Sequence, residues 1–189
     1  MDTTSHDCDF GAARERFEEL VGFLGGAEAL QASHGELEAQ ISERGREVFR
    51  QLYQDHLDLR AEREERLSEV TDAQGVARHY AEEGHHRTLA TIFGPVVVER
   101  IAYRRRGEEN LHPADAVLNL PAERHSHGLR RLAAIEASRG AFEGAKEAIE
   151  RGTGQELGKR QIEELARRAA VDVETFYQER SGVERHAVW

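Results

Sequence analysis

Residues Arg87–Arg105 read RTLATIFGPVVVERIAYRR, and this stretch decides the shape of the chain. It is rich in Thr, Ile, Val, Phe and Tyr and is interrupted by Gly94-Pro95, so it reads as strand, turn, strand. No other stretch gives so clear a strand signal. Successive strand residues point to opposite faces. One face carries Val97, Glu99, Ile101 and Tyr103, and the other Val96, Val98, Arg100, Ala102, Arg104 and Arg106. An isolated hairpin is barely stable in water, so this one must pack on helices or on more strands.

Upstream of the hairpin the pattern is helical. From Gly11 to about Leu30, Phe17, Leu20, Val21 and Leu24 share one side, and Gly25-Gly26 weakens or breaks the helix. Ser33 followed by Glu36 has capping-box spacing. A longer helix opens there, with Leu37, Ile41, Val48, Leu52 and Leu59 at helical steps and Gly45 and His56 completing the stripe. Such a stripe needs a partner, either a helix of the same chain or a second subunit. The pattern changes at Asp72–Gly75.

Downstream, Gly107–Pro121 reads as a connector, and helices return after it. The first spans about Gly128–Arg139, with Leu129, Leu132 and Ala133 inward. The second spans about Ala141–Arg151, with Phe142, Ala145, Ala148 and Ile149 inward. The third begins near Lys159 and buries Ile162, Leu165, Ala166 and Ala169. Three short helices with glycine joints suit a helix-turn-helix unit, although the joint between the last two exceeds the usual length. In such a unit the last helix enters the major groove. Its first turns here carry Lys159, Arg160, Gln161 and Glu164, with Arg167 and Arg168 further along. Arginine matches guanine, glutamine matches adenine, and lysine neutralises phosphate.

The 189 residues carry a net charge of −10, which argues against nucleic acid if taken whole. The acidity is local. Residues 1–83 hold nine Arg and Lys against twenty Asp and Glu, while residues 84–189 hold seventeen against sixteen. Charges separated by more than ~10 Å are screened at ordinary salt, so a local cationic edge is compatible with this total. Cys8 is the lone cysteine, which excludes a disulfide framework and a cysteine zinc site. His85-His86 and His125-x-His127 lack the four converging ligands a metal site needs. They read as surface or capping histidines. No catalytic residue, metal ligand or cofactor is assigned: there is no nucleophile–histidine–acid pattern, and Gly152-x-Gly154 follows a helix rather than a strand. No apolar run is long enough to cross a membrane, and MDTTSHDCDF is not a signal peptide. The expectation is a cytoplasmic protein.

The segment from PADAVLNLP to ETFY is similar to the region preceding the catalytic domain in the ISKra group of bacterial insertion-sequence transposases. The resemblance is carried by the order of its parts: LNLP at Leu118–Pro121, SHGLRRL from Ser126 to Leu132, GAFEGA at Gly140–Ala145, GTG at Gly152–Gly154, and KRQIEELARRAA followed by Phe176-Tyr177. The upstream FGPVVVERIAYRR and the acidic helical start are similar too, so nearly the whole chain is covered. The resemblance implies DNA transposition by an acidic triad with divalent metal on an RNase H-like domain. That domain would follow residue 189, so the chain is expected to be a truncated transposase without activity of its own. Some relatives have cysteine pairs near the hairpin that suggest a zinc ribbon; none occur here.

The expected fold is therefore mainly α, with long N-terminal helices, a central β-hairpin and a C-terminal three-helix helix-turn-helix-like unit. The expected organisation is a disordered tail at 1–10, an acidic helical region at 11–83, hairpin and connector at 84–121, the DNA-binding unit at 122–180, and a truncated tail at 181–189. Two functions are expected from this. In the first, the chain binds double-stranded DNA at element ends, with Arg100, Arg104, Arg105 and Arg106 on phosphates, Lys159, Arg160 and Gln161 near bases, and Glu164, Arg167 and Arg168 at the same surface. In the second, it is an acidic interaction module that pairs with itself or with full-length transposase through the Leu37–Leu59 helix.

Overall fold

The computed structural model describes residues 10–170. Expectations for residues 1–9 and 171–189, among them the disordered start, the Phe176-Tyr177 segment and the 181–189 tail, lie outside that range. The chain forms two compact units, one up to Arg124 and one from His125.

The first unit begins with α1 (Gly11–Gly25), α2 (Ala27–Gln31) and α3 (His34–Glu62). The glycine pair does break the helix: Gly26 is extended, and its N–H bonds back to Phe23 O at 3.0 Å. The Ser33–Glu36 capping box is present in full. Helix α1 runs antiparallel to α3, because Ala13 at its start meets Asp55 and Phe23 near its end lies under Arg44. The Ala13 N–H donates to Asp55 Oδ2 at 2.9 Å in a buried contact, and Gln51 donates to the other oxygen at 2.7 Å. A carboxylate from α3 thus satisfies an N–H that the first turn of α1 cannot satisfy itself.

The hairpin consists of β3 (Tyr80–Thr91) and β4 (Gly94–Arg104), following a smaller one of β1 (Val70–Thr71) and β2 (Ala77–Arg78). Extended backbone therefore starts inside the 11–83 stretch expected to be helical. Asp72 organises the small hairpin by accepting from the Gln74 and Val76 N–H groups and pairing with the buried Arg78 at 2.8 Å. The large hairpin turns at Ile92-Phe93 rather than at Gly94-Pro95, since Thr91 pairs with Gly94 and Ala90 with Pro95. Thr91 Oγ1 accepts from Phe93 N–H and donates to Gly94 O, which closes the turn. Between Glu82 and His85 the register shifts, with Gly84 at φ +76°. This left-handed residue at a bulge is a position glycine suits.

Leu57, Leu89, Val96 and Val98 form the core, with Tyr53, Leu118 and Leu120 packed against them. Helix α3 thus serves two partners on two faces. The single stripe expected from spacing is split: Asp55 and Leu57 are buried, His56 is exposed, and Ile41 and Leu52 remain largely exposed. The outer edge of β4 is covered at several points. The Gln54 side chain accepts from Val97 N–H at 2.8 Å and donates to Val97 O at 2.9 Å. Glu64 accepts from Ile101 N–H, and Tyr103 exchanges backbone bonds with Leu111. Within the expected connector lies the short helix α4 (Pro113–Val117), with proline in its first turn.

The second unit contains α5 (His127–Arg139), α6 (Phe142–Thr153) and helical residues 159–170. Ser126 caps α5, accepting from Leu129 N–H at 3.1 Å. Gly154 ends α6 at φ +67°, a usual place for a left-handed glycine. Leu129, Ala133, Ala145, Ile149, Leu157, Ile162 and Leu165 are buried together with Thr153. Phe142, expected inward, stands exposed at the first residue of its helix.

Candidate nucleic-acid interface

The expected basic edge of the hairpin divides. Arg100 shares its face with Val96, Val98 and Ala102, as alternation requires, but that is the face packed into the unit. It is only 8% exposed. Its Nε stands 2.7 Å from Asp115 Oδ1, off the donor axis, so the contact is an ion pair rather than an aligned hydrogen bond. Burial pulls the guanidinium below its ordinary range, and Asp115 opposes this. Arg100 is a structural cation that joins β4 to α4, not a surface contact. Arg87 assists by donating to the carbonyls of Pro121 and Glu123 and lying 3.8 Å from Asp115.

The other three arginines are at the surface. Arg104 pairs with Glu82, and that contact together with His85 holds the Glu82 carboxyl below its usual range. Arg105 makes one long bond, 3.5 Å, to Ala77 O. Arg106 is exposed and pairs with no group among the described residues.

In the second unit, Lys159 is exposed but pairs with Glu143, whose carboxyl it holds below the usual range. Because both residues lie in first turns, the starts of α6 and of the 159–170 helix are neighbours. Gln161 is half-buried, and its Oε1 accepts from Gly158 N–H at 2.9 Å. This is the reach-back half of a capping box, so its carbonyl oxygen is occupied at the helix start. Glu164 pairs with Arg168 one turn on. Arg160 and Arg167 are exposed and have no partner among the described residues. Sequence reasoning missed Arg131 on α5, which is equally exposed and unpartnered; the signal was present in the LRRL run, as the arginine on the side away from Leu129.

The histidines do not converge. His86 faces Glu99 across the ladder at 3.7 Å, whereas His85 faces Glu82 at 3.3 Å and lies 5.6 Å from the His112 ring. No group of three or more His, Cys, Asp or Glu among the described residues is placed to hold a metal. His112 has a buried Nε2 without a partner. Burial lowers its affinity for a proton, followed by Arg100, with Arg87 and His85 acting the same way and Asp115 against them. A histidine with a lowered folded-state pKa favours folding above its unfolded pKa of ~6.5, and that contribution declines from there and is lost as pH falls through the lower folded-state value. Urea midpoints should therefore drop between pH 7.5 and 5.5 in the parent, and His112→Gln should flatten that drop. An unchanged slope in the variant would refute this role.

These features define a mainly helical protein whose larger β-hairpin, β3–β4, packs on α3. No helix among the described residues is long and apolar enough to cross a membrane. The chain belongs to the family described as "Uncharacterised protein family (UPF0236)", whose model matches residues 30–187. Comparison with curated proteins gives no match.

Proposed function

We propose that the chain is the DNA-binding portion of an insertion-sequence transposase, as its resemblance to the ISKra group implies, and that residues 127–170 recognise element ends as a helix-turn-helix-like unit. One observation carries this reading. The 159–170 helix buries Ile162 and Leu165, and its first turn presents Arg160 exposed and unpaired among the described residues. Arg131 and Arg167 add free cations in the same unit. Arg160 is the base or phosphate contact, Lys159 reaches phosphate by exchanging Glu143 for it, and Gln161 sets the helix start. Arg100 is withdrawn from any such contact. The test is binding to element-end duplex across a salt series. Each phosphate contact contributes about −0.9 to the slope of log affinity against log salt. Arg160→Ala should reduce that slope by about 1 if it meets phosphate, or cost about 1–3 kcal/mol at one base position if it meets guanine. Salt-insensitive or absent binding by the parent chain would sink the reading.

A second reading has its own observation. Phe17, Val21 and Leu24 lie exposed at steps of four and three on α1, and α3 leaves Ile41 and Leu52 exposed. In this reading the helical pair docks on a second copy or on full-length transposase. Sedimentation should then show a dimer that Val21→Glu converts to monomer; a parent chain that is monomeric at high concentration and does not co-purify with full-length transposase excludes it.

A further inference from the structure

We propose that the open end of the β3–β4 hairpin binds single-stranded nucleic acid, with an unpaired base stacked on Tyr80 and its flanking phosphates on Arg105 and Arg106. This rests on the reading that the chain binds nucleic acid and adds an unpaired-strand contact to the duplex one.

Tyr80 opens β3 and pairs across the ladder with Arg104, the last residue of β4. It is 79% exposed, more than any other large apolar side chain among the described residues. A tyrosine so placed contributes little to the core; its ring face is available. Beside it an open cleft of about 670 Å³ is lined by Tyr80, Arg105, Arg106 and Asn110, among others. Gly107, at φ +84°, turns the chain directly after the three consecutive arginines. Charge within the cleft is unbalanced. Arg104, Arg105 and Arg106 line it against Glu82 and Glu108; Glu82 is taken by Arg104 and His85, and Glu108 lies 4.0 Å from Arg78, which Asp72 also holds. Arg105 and Arg106 are left without a carboxylate partner among the described residues.

An exposed aromatic face beside unpaired guanidiniums is the arrangement that holds unpaired strands, because every base has a π-face and every linkage a phosphate. A duplex does not satisfy it, since its base faces are already stacked on each other. The cleft falls within the ~300–1,000 Å³ that small-ligand sites span.

The experiment uses the full chain with a dye-labelled oligo(dT) and, separately, element-end duplex, read by fluorescence anisotropy at several salt concentrations. Tyr80→Ala should weaken oligo(dT) binding about 5- to 150-fold, the range that loss of one stacked base produces, and leave duplex affinity unchanged. Tyr80→Phe should retain parent affinity, because the ring remains. The double variant Arg105→Ala, Arg106→Ala should reduce the single-strand salt slope by about 1.4. Parent-like oligo(dT) affinity in Tyr80→Ala overturns the proposal. So does a Tyr80→Phe loss as large as that of Tyr80→Ala, or a parent chain that ignores oligo(dT). In that last case, duplex binding that still responds to Arg160→Ala confines the failure to this cleft. Loss of duplex binding as well brings down the broader DNA reading with it.

Discussion

Arg100→Ala is expected to lower stability by about 3 kcal/mol, the lower end of the loss caused by removing one partner of a buried ion pair. The lower end applies because Asp115 keeps about a quarter of its side chain in solvent and retains Arg87 at 3.8 Å. The deletion also withdraws a buried stem from the face that carries Val96, Val98 and Ala102. Removing both charges should hurt less than removing one, so Arg100→Met with Asp115→Leu should recover much of the loss. Urea denaturation measures all three chains. A fully stable Arg100→Ala that instead loses DNA affinity would return this arginine to the surface role its sequence position suggested.

Leu57→Ala is expected to cost about 3–4 kcal/mol, within the ~2–5 kcal/mol found when a buried leucine is cut to alanine and a cavity remains. Leu57 is 2% exposed and belongs to the cluster that ties α3 to the hairpin. Leu52→Ala, on the same helix at 40% exposure, should cost less than about 1 kcal/mol. Equal losses at the two positions would mean that α3 buries a single stripe after all.

That pair of leucines shows where the sequence was legible. Ser33 with Glu36, the Gly25-Gly26 break and the glycine-ended helices α5 and α6 were readable because each rests on local backbone chemistry that neighbours cannot alter. The stripe along α3 was misread because spacing reports a periodic apolar face but not how many partners share it. With α1 on one side and the hairpin on another, Leu57 and Asp55 gained burial that periodicity gave to Leu52 and His56. Strand β3 was read too short: EEGHH is polar and carries a glycine, and only its pairing with β4 extends it. Pro95 looked like the turn, yet it occupies an outward-facing ladder position opposite Ala90 where no N–H is required.

The candidate interface was legible by residue type and not by availability. Arginines at 104–106 and 160 were visible in the sequence, but nothing in it shows that Glu82 neutralises Arg104 or that Glu143 neutralises Lys159. Arg100 was assigned to the correct face of the strand, with the wrong side of that face taken as wet. Tyr80 carried no signal, because an aromatic at a strand start usually packs inward.

The carboxamide of Gln54 imitates a short piece of extended chain, offering Val97 both the acceptor and the donor that a third strand would bring. Such a plug on one margin and a glycine kink on the other both work against the addition of a further strand. Gln54→Ala is the change that would uncover the Val97 backbone and offer that margin to a second copy.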